Sequence, residues 1–211
     1  MTLERPRAEA VRLRDGAEIF VRPVIASDKD AIASGLEGLS EESRYRRFFT
    51  PVHQLSNRDL VYLTEVDHHD HEALVAYAHD GEPLGVARFV RLHDEPTKAE
   101  VAVAVVDDWQ GRGVATELLE RLADRARDEG VETFTAAVLA QNRNAIDLMR
   151  SLGPVKSVGL EPGLVKLEME IPPRAGIGAF LRRALREAAA GALRGREPAL
   201  RQPRARRRPD G

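Results

Sequence analysis

The chain has 211 residues, 43% of them hydrophobic, a formal net charge of -2 and no cysteine. That length supplies one well-buried domain plus an appendage rather than two full domains, and the lack of cysteine excludes disulfides, thiolate metal sites and a cysteine nucleophile. No apolar run reaches about eighteen residues and Met1 to Ala10 is polar and mixed in charge, so neither a membrane span nor a secretory leader is predicted, and a soluble cytoplasmic protein is expected.

Charge is unevenly spread. Beyond Pro173 eleven Arg stand against Glu187, Glu197 and Asp210, a local charge of +8 that leaves -10 on residues 1–173. The acidic body favours cationic substrates by field focusing.

In chain order, Val11 to Arg14 and Ala17 to Arg22 read as extended pieces about Asp15-Gly16. Ser27 and Asp28 are N-cap types ahead of Ile32, Leu36 and Leu39; Ser40-Glu41-Glu42 opens a second short helix through Phe48, and Ser56 a third within Leu55 to Val66. Glu72 to Ala78 and Leu84 to Leu92 form a hairpin about Asp80-Gly81. Ala99 to Val106 is a Val-rich run suited to a central strand covered on both faces. Gly113 to Glu129 carries Val114, Leu118, Leu119 and Leu122 on one helical stripe, and Gly130 stops it. Strand Glu132 to Leu139, helix Asn144 to Leu152 and strands Val155 to Val158 and Leu164 to Ile171 complete the body, which Pro172-Pro173 closes. Hairpins followed by alternating helices and strands predict an α/β (α+β) domain over residues 10–173 with a mixed sheet. Residues 174–211 are expected to be an amphipathic helix and an Arg- and Pro-rich disordered tail.

Between the buried strand and the long helix stands Gln110-Gly111-Arg112-Gly113-Val114-Ala115. Two glycines permit positive φ and close approach of a ligand, and a helix N-terminus adds about half a positive charge, so an anion such as a pyrophosphate fits. A plain strand-to-helix turn would also use glycines. A dinucleotide turn is disfavoured by the four residues Asp107 to Gln110 after the strand and by Thr116 where a third Gly belongs, and no Gly-Lys-Ser/Thr sequence marks a triphosphate loop.

The strand followed by Asp-x-x-Gln-Gly-Arg-Gly-Val-Ala-x-x-Leu-Leu resembles the acyl-CoA signature of GNAT N-acyltransferases, and Asn142-x-x-Ala145 through Leu152-Gly153 resembles their second cofactor-contacting segment. Leu13-Arg14-Asp15-Gly16, Arg22-Pro23, Ser43 to Phe49 and Ala99-Glu100 are similar to the catalytic domain of bacterial protein lysine acetyltransferases. The resemblance implies a mainly antiparallel seven-strand sheet flanked by helices, acetyl-CoA as acyl donor and a primary amine, foremost a protein lysine, as acceptor. It further implies that amides of Gln110, Gly111, Arg112, Gly113, Val114 and Ala115 hold the pyrophosphate, Arg112 adding charge. Main-chain atoms of Val103, Ala104 and Val105 would pair with the pantetheine arm beside Asn142. No metal is implied.

A lysine amine, with a free pKa near 10.4, needs a base or a desolvating site. The resemblance carries the base role onto Glu100, at the head of the central strand, where partial burial would raise its pKa; a solvated strand-end Glu is the plainer reading. Met149 stands where such enzymes often carry a Tyr acid, and Pro154 where Phe is common, so Tyr45 or Tyr77 is weighed as a replacement acid. A small-molecule amine acetyltransferase and a non-catalytic acyl-CoA sensor stay open as alternatives. His68-His69-Asp70-His71-Glu72 has metal-ligand types but reads as a polar loop. Arg44, Arg46 and Arg47 read as part of an amphipathic helix guarding the amine entrance. The Arg-rich tail lacks aromatic interleaving, so a solvated tail is expected rather than a nucleic-acid contact.

Overall fold

The computed structural model describes residues 6–173; the tail helix and Arg-rich segment expected over 174–211 lie outside the described residues. Strands β1 (Glu9–Arg12) and β2 (Glu18–Pro23) precede three helices, α1 (Lys29–Glu37), α2 (Glu41–Phe48) and α3 (Asn57–Thr64). Strands β3 (His71–Tyr77), β4 (Pro83–Arg91) and β5 (Lys98–Val105) lead to α4 (Val114–Asp128). Then come β6 (Thr133–Leu139), α5 (Arg143–Leu152), β7 (Val155–Glu161) and β8 (Leu164–Glu170).

The sheet runs β1-β2-β3-β4-β5-β6-β8-β7. Every pair is antiparallel except β5 with β6. It has eight strands where seven were expected, because both arms of the N-terminal hairpin pair, Glu9 with Val21 through Arg12 with Glu18. The hairpin turns on Gly16 at φ 90°.

Strand alternation separates two faces. Ala87 and Phe89 of β4 and Val101 and Val105 of β5 meet Leu118, Leu119 and Leu122 of α4 in the main core. Each of those leucines contributes about 1.5–3 kcal/mol by burial. The opposite face carries Val75, Val86, Arg88 and Ala104 under α1, α2 and α3. Ser40 caps α2 through its hydroxyl, and Ser56 with Asp59 forms a reciprocal cap on α3. Asp28 does not cap α1: its carboxylate accepts from both terminal nitrogens of Arg22, at 2.7 and 2.8 Å, and from the Ile25 N–H at 2.9 Å. Strand β7 runs three residues past the expected Val158, through a register shift between Ser157 and Gly159.

Candidate functional site

Strands β5 and β6 run side by side for three residues only, Lys98 to Glu100 against Thr133 to Thr135. Past Glu100, β5 keeps β4 as its partner and β6 keeps β8, so the sheet opens into a slot. Hydrogen bonds at 2.9 Å from the Val106 N–H to Leu84 and from the Leu92 N–H to Lys98 set the alternation. Main-chain groups of Ala102 and Ala104 therefore face β4, while those of Val103 and Val105 face the slot. Of the three residues expected to pair with the pantetheine arm, Ala104 thus turns only its side chain toward the site, into the cavity under α1 to α3.

At the mouth of the slot, Gly111 and Gly113 take φ of 72° and 102°. A Cβ at either position would meet nothing within 4 Å, so positive φ rather than crowding requires glycine. Among the described residues the amides of Gly111, Arg112, Gly113, Val114 and Ala115 are not hydrogen-bonded, whereas the Gln110 amide donates to Asp107 at 3.1 Å. Five free amides at the start of a fifteen-residue helix make an anion cradle. The Gln110 side chain acts as a latch, its Nε2 donating to the Val105 carbonyl at 3.1 Å, Asp107 Oδ1 at 2.9 Å and Ser43 Oγ at 3.2 Å. Desolvation pushes the Asp107 carboxyl up, but hydrogen bonds from Ser40 and Ser43 outweigh it and hold the group below its ordinary range. Arg112 stacks 3.9 Å over the Trp109 ring and pairs with Asp15 Oδ2 at 2.6 Å, which ties the turn to the first hairpin.

Asn142 Oδ1 caps α5 by accepting from the Ala145 N–H at 3.2 Å, which leaves its amide nitrogen without a partner among the described residues. Met149, where a Tyr acid was sought, is buried in the main core. Tyr77 is also committed: its hydroxyl bonds Arg22 and Asp28, and burial pushes the phenol up to about 12. Tyr45 is exposed on α2.

The even-numbered side chains of β5 point to the α1–α3 face, and Glu100 lies there, diagonal to Arg88 in the β4–β5 register. The partial burial expected for Glu100 is absent: its side chain is exposed, although its backbone still pairs with Thr135 of β6. Under α1 to α3 lies a cleft enclosing about 580 Å³, its open mouth included, and into its apolar lining project two guanidinium groups, Arg47 from α2 and Arg88 from β4. Arg88 is 5% exposed. It donates to the Leu63 carbonyl at 3.0 Å and to His71 Nε2 at 3.1 Å. Burial, aided by the charge of Arg47, brings Arg88 down to about 10, and burial together with Arg88 takes His71 to about 4, so His71 accepts as neutral imidazole. Arg47 is likewise lowered by burial, against the opposing pull of Glu100 and Tyr62. Among the described residues Arg47 has no hydrogen bond and no ion pair. Its neighbours differ: Arg44 donates to the Leu36 and Leu39 carbonyls, and Arg46 pairs with Glu42 on the surface.

Sequence reasoning did not single out Arg88 or Tyr62, and it took up His71 only as one member of the polar loop His68 to Glu72. A signal for Arg88 was available, since a charge in the middle of the apolar stretch Leu84 to Val90 must face something other than core. The His68–Glu72 loop is a clamp. Fully buried Glu72 pairs with His68 Nδ1 at 2.8 Å and Arg125 Nε at 3.0 Å, and His69 bonds Glu129, which joins the loop to the last turns of α4.

A mixed sheet split between two parallel strands, with an amide-lined turn at the mouth of the split, defines an acyltransferase of the GNAT type. The chain belongs to the acetyltransferase (GNAT) family, which residues 40–153 match. It is 38% identical to Acetyltransferase Pat of Mycolicibacterium smegmatis over 164 residues, 77% of this chain, and spans 49% of that protein's length. It is 32% identical to Acetyltransferase PA5475 of Pseudomonas aeruginosa over 67% of this chain and 77% of that protein. The GNAT domain of S. lividans PAT superposes with a TM-score of 0.74 at 37% identity, over 80% of this chain and all of that domain. No described helix is long and apolar enough to cross a membrane.

Proposed function

We propose that this protein moves an acetyl group from acetyl-CoA to a primary amine by direct transfer, with a protein lysine as acceptor and Glu100 as general base. The observation that carries this reading is the slot: a strand that loses its neighbour after Glu100 and leads to five unpaired amides beyond it. The pantetheine arm would pair with Val103 and Val105 and run beside the free amide of Asn142, and the pyrophosphate would lie on the amides of Gly111 to Ala115. The lysine acceptor is favoured by the likeness of the first hairpin, Ser43 to Phe49 and Ala99-Glu100 to lysine acetyltransferases, and a cytoplasmic setting belongs to the same proposal.

The neutral amine attacks the thioester carbonyl, the C–N bond forms and the C–S bond breaks, and the amine proton passes to Glu100. Glu100 is exposed rather than desolvated, so delivery of a neutral amine has to be helped from elsewhere. Arg47 and Arg88 supply that help, because nearby guanidinium charges disfavour an ammonium and raise the neutral fraction of an amine. With Met149 buried and Tyr77 committed to Asp28, the thiolate leaves without a tyrosine acid; a thiol pKa near 8.5 makes that leaving group adequate at neutral pH. Acetyl-CoA-dependent thiol release, measured with lysine-bearing proteins and separately with small amines, tests the reading. Glu100→Gln is expected to lower kcat by about 10²–10³ with unchanged acetyl-CoA affinity. Tight donor binding with no release for any acceptor would instead mark a sensor.

A further inference from the structure

The face that receives the amine carries more positive charge than amine chemistry requires. Arg88 sits on the cleft floor with two of its nitrogens already engaged by Leu63 and His71. Arg47 reaches the same cleft from α2, its guanidinium 5.1 Å over the Phe48 ring and without a hydrogen bond among the described residues. Both side chains line the one cleft, the charge of Arg47 opposes that of Arg88, and the walls, Ile32, Leu36, Val86 and Ala104, are apolar. Two like charges held in apolar surroundings are an unstable arrangement without an anion between them. Glu100 does not fill that role: its influence reaches Arg47, but no ion pair forms between them and its side chain stays in solvent.

We propose that Arg47 and Arg88 form a carboxylate subsite for the acceptor, so that the preferred amine is borne by a molecule with a carboxylate and an apolar group close to the reacting nitrogen. The planar guanidinium of Arg47, its donors unspent, suits a two-point bond to a carboxylate. The carboxylate has two sources, the α-carboxylate of a free amino acid or an acidic side chain beside a lysine in a polypeptide. This rests on reading the Glu100 end of β5 as the acceptor site.

Paired acceptors test it on the full chain. Thiol release is compared for L-leucine against L-leucinamide, and for a lysine peptide with a flanking Glu against the same peptide with Gln. In the wild type the carboxylate member of at least one pair is expected to have kcat/KM about tenfold or more above its neutral partner. In Arg47→Gln that ratio falls toward one while acetyl-CoA affinity is retained. Discrimination in the leucine pair alone assigns the α-carboxylate, and in the peptide pair alone the acidic side chain. A ratio near one in both wild-type pairs, or a ratio that survives Arg47→Gln, overturns the subsite. Arg47 rather than Arg88 is varied because removing Arg88 strips partners from Leu63 and His71 and risks the fold. Should no acceptor turn over, acetyl transfer itself is refuted, and titration with N-acetyl-L-leucine against N-acetyl-L-leucinamide still decides the subsite. Binding about tenfold tighter for the acid, lost in Arg47→Gln, supports it, and equal or absent binding of the two overturns it.

Discussion

From Val103 to Ala115 the site is made of main chain: strand groups facing a slot, two glycines at positive φ and a row of free amides. On the proposed acceptor side, from Arg47 to Glu100, it is made of side chains that project from α2, α3, β3, β4 and β5. The contrast has consequences for robustness. A backbone cradle tolerates most substitutions of its side chains but few changes to its φ angles, whereas a side-chain cluster depends on each charged member keeping its partners.

The largest effect should fall on the network that supports the acceptor side. Asp28 and Arg22 are both nearly buried and share Tyr77, so Asp28→Asn leaves a guanidinium without its counterion at a cost of about 3–5 kcal/mol, on the order of 10 °C in Tm. Desolvation pushes the Asp28 carboxyl up, but the hydrogen bond from Arg22, the Ile25 amide and the Arg22 charge outweigh it and hold the group below its ordinary value. Its contribution is then present above an unfolded pKa of about 3.9 and is lost as pH falls through the lower folded value. Acid titration of thermal stability should show that limb in the wild type and not in Asp28→Asn. A variant that melts within a degree of the wild type would mean that the α1–α3 side does not rest on this pair.

Next comes the donor turn. Gly113→Val places a β-branched residue at φ 102°, where strain of about 1–3 kcal/mol is expected and the adjoining amides must shift. Calorimetric titration with acetyl-CoA should give binding weaker by about tenfold to a hundredfold. Unchanged affinity would show that these amides do not hold the donor.

The same contrast explains what could be read from the sequence. The proposed donor half is contiguous, a buried strand, a Gly-x-Gly turn and an amphipathic helix within about thirty residues, so local pattern located those elements along with the capping serines of α2 and α3. The acceptor half is assembled by sheet register: Arg88 is brought beside Glu100 only because Val90 pairs with Glu100 and Arg88 with Ala102. Helical periodicity cannot tell which of Arg44, Arg46 and Arg47 faces inward. Asp28 looked like a cap because the type fits, yet tertiary pairing with Arg22 took its carboxylate. Strand β7 was cut short at Val158, where the register shift between Ser157 and Gly159 interrupts the pairing, and beyond it the strand lies exposed, Leu160 by 81%.

The smallest effect should come from Arg112, and it divides the two halves most sharply. By residue type it looks like a phosphate ligand, but its guanidinium is stacked on Trp109 and paired with Asp15 near the surface. An exposed pair of this kind contributes little, and the amide cradle stays in place when the side chain is removed. Arg112→Ala should therefore change acetyl-CoA affinity by less than about fivefold. A loss comparable to that of Gly113→Val would make the donor half depend on a side chain after all. The Trp109 stack would then be what aims Arg112 at the phosphates, and Trp109→Leu should reproduce the loss.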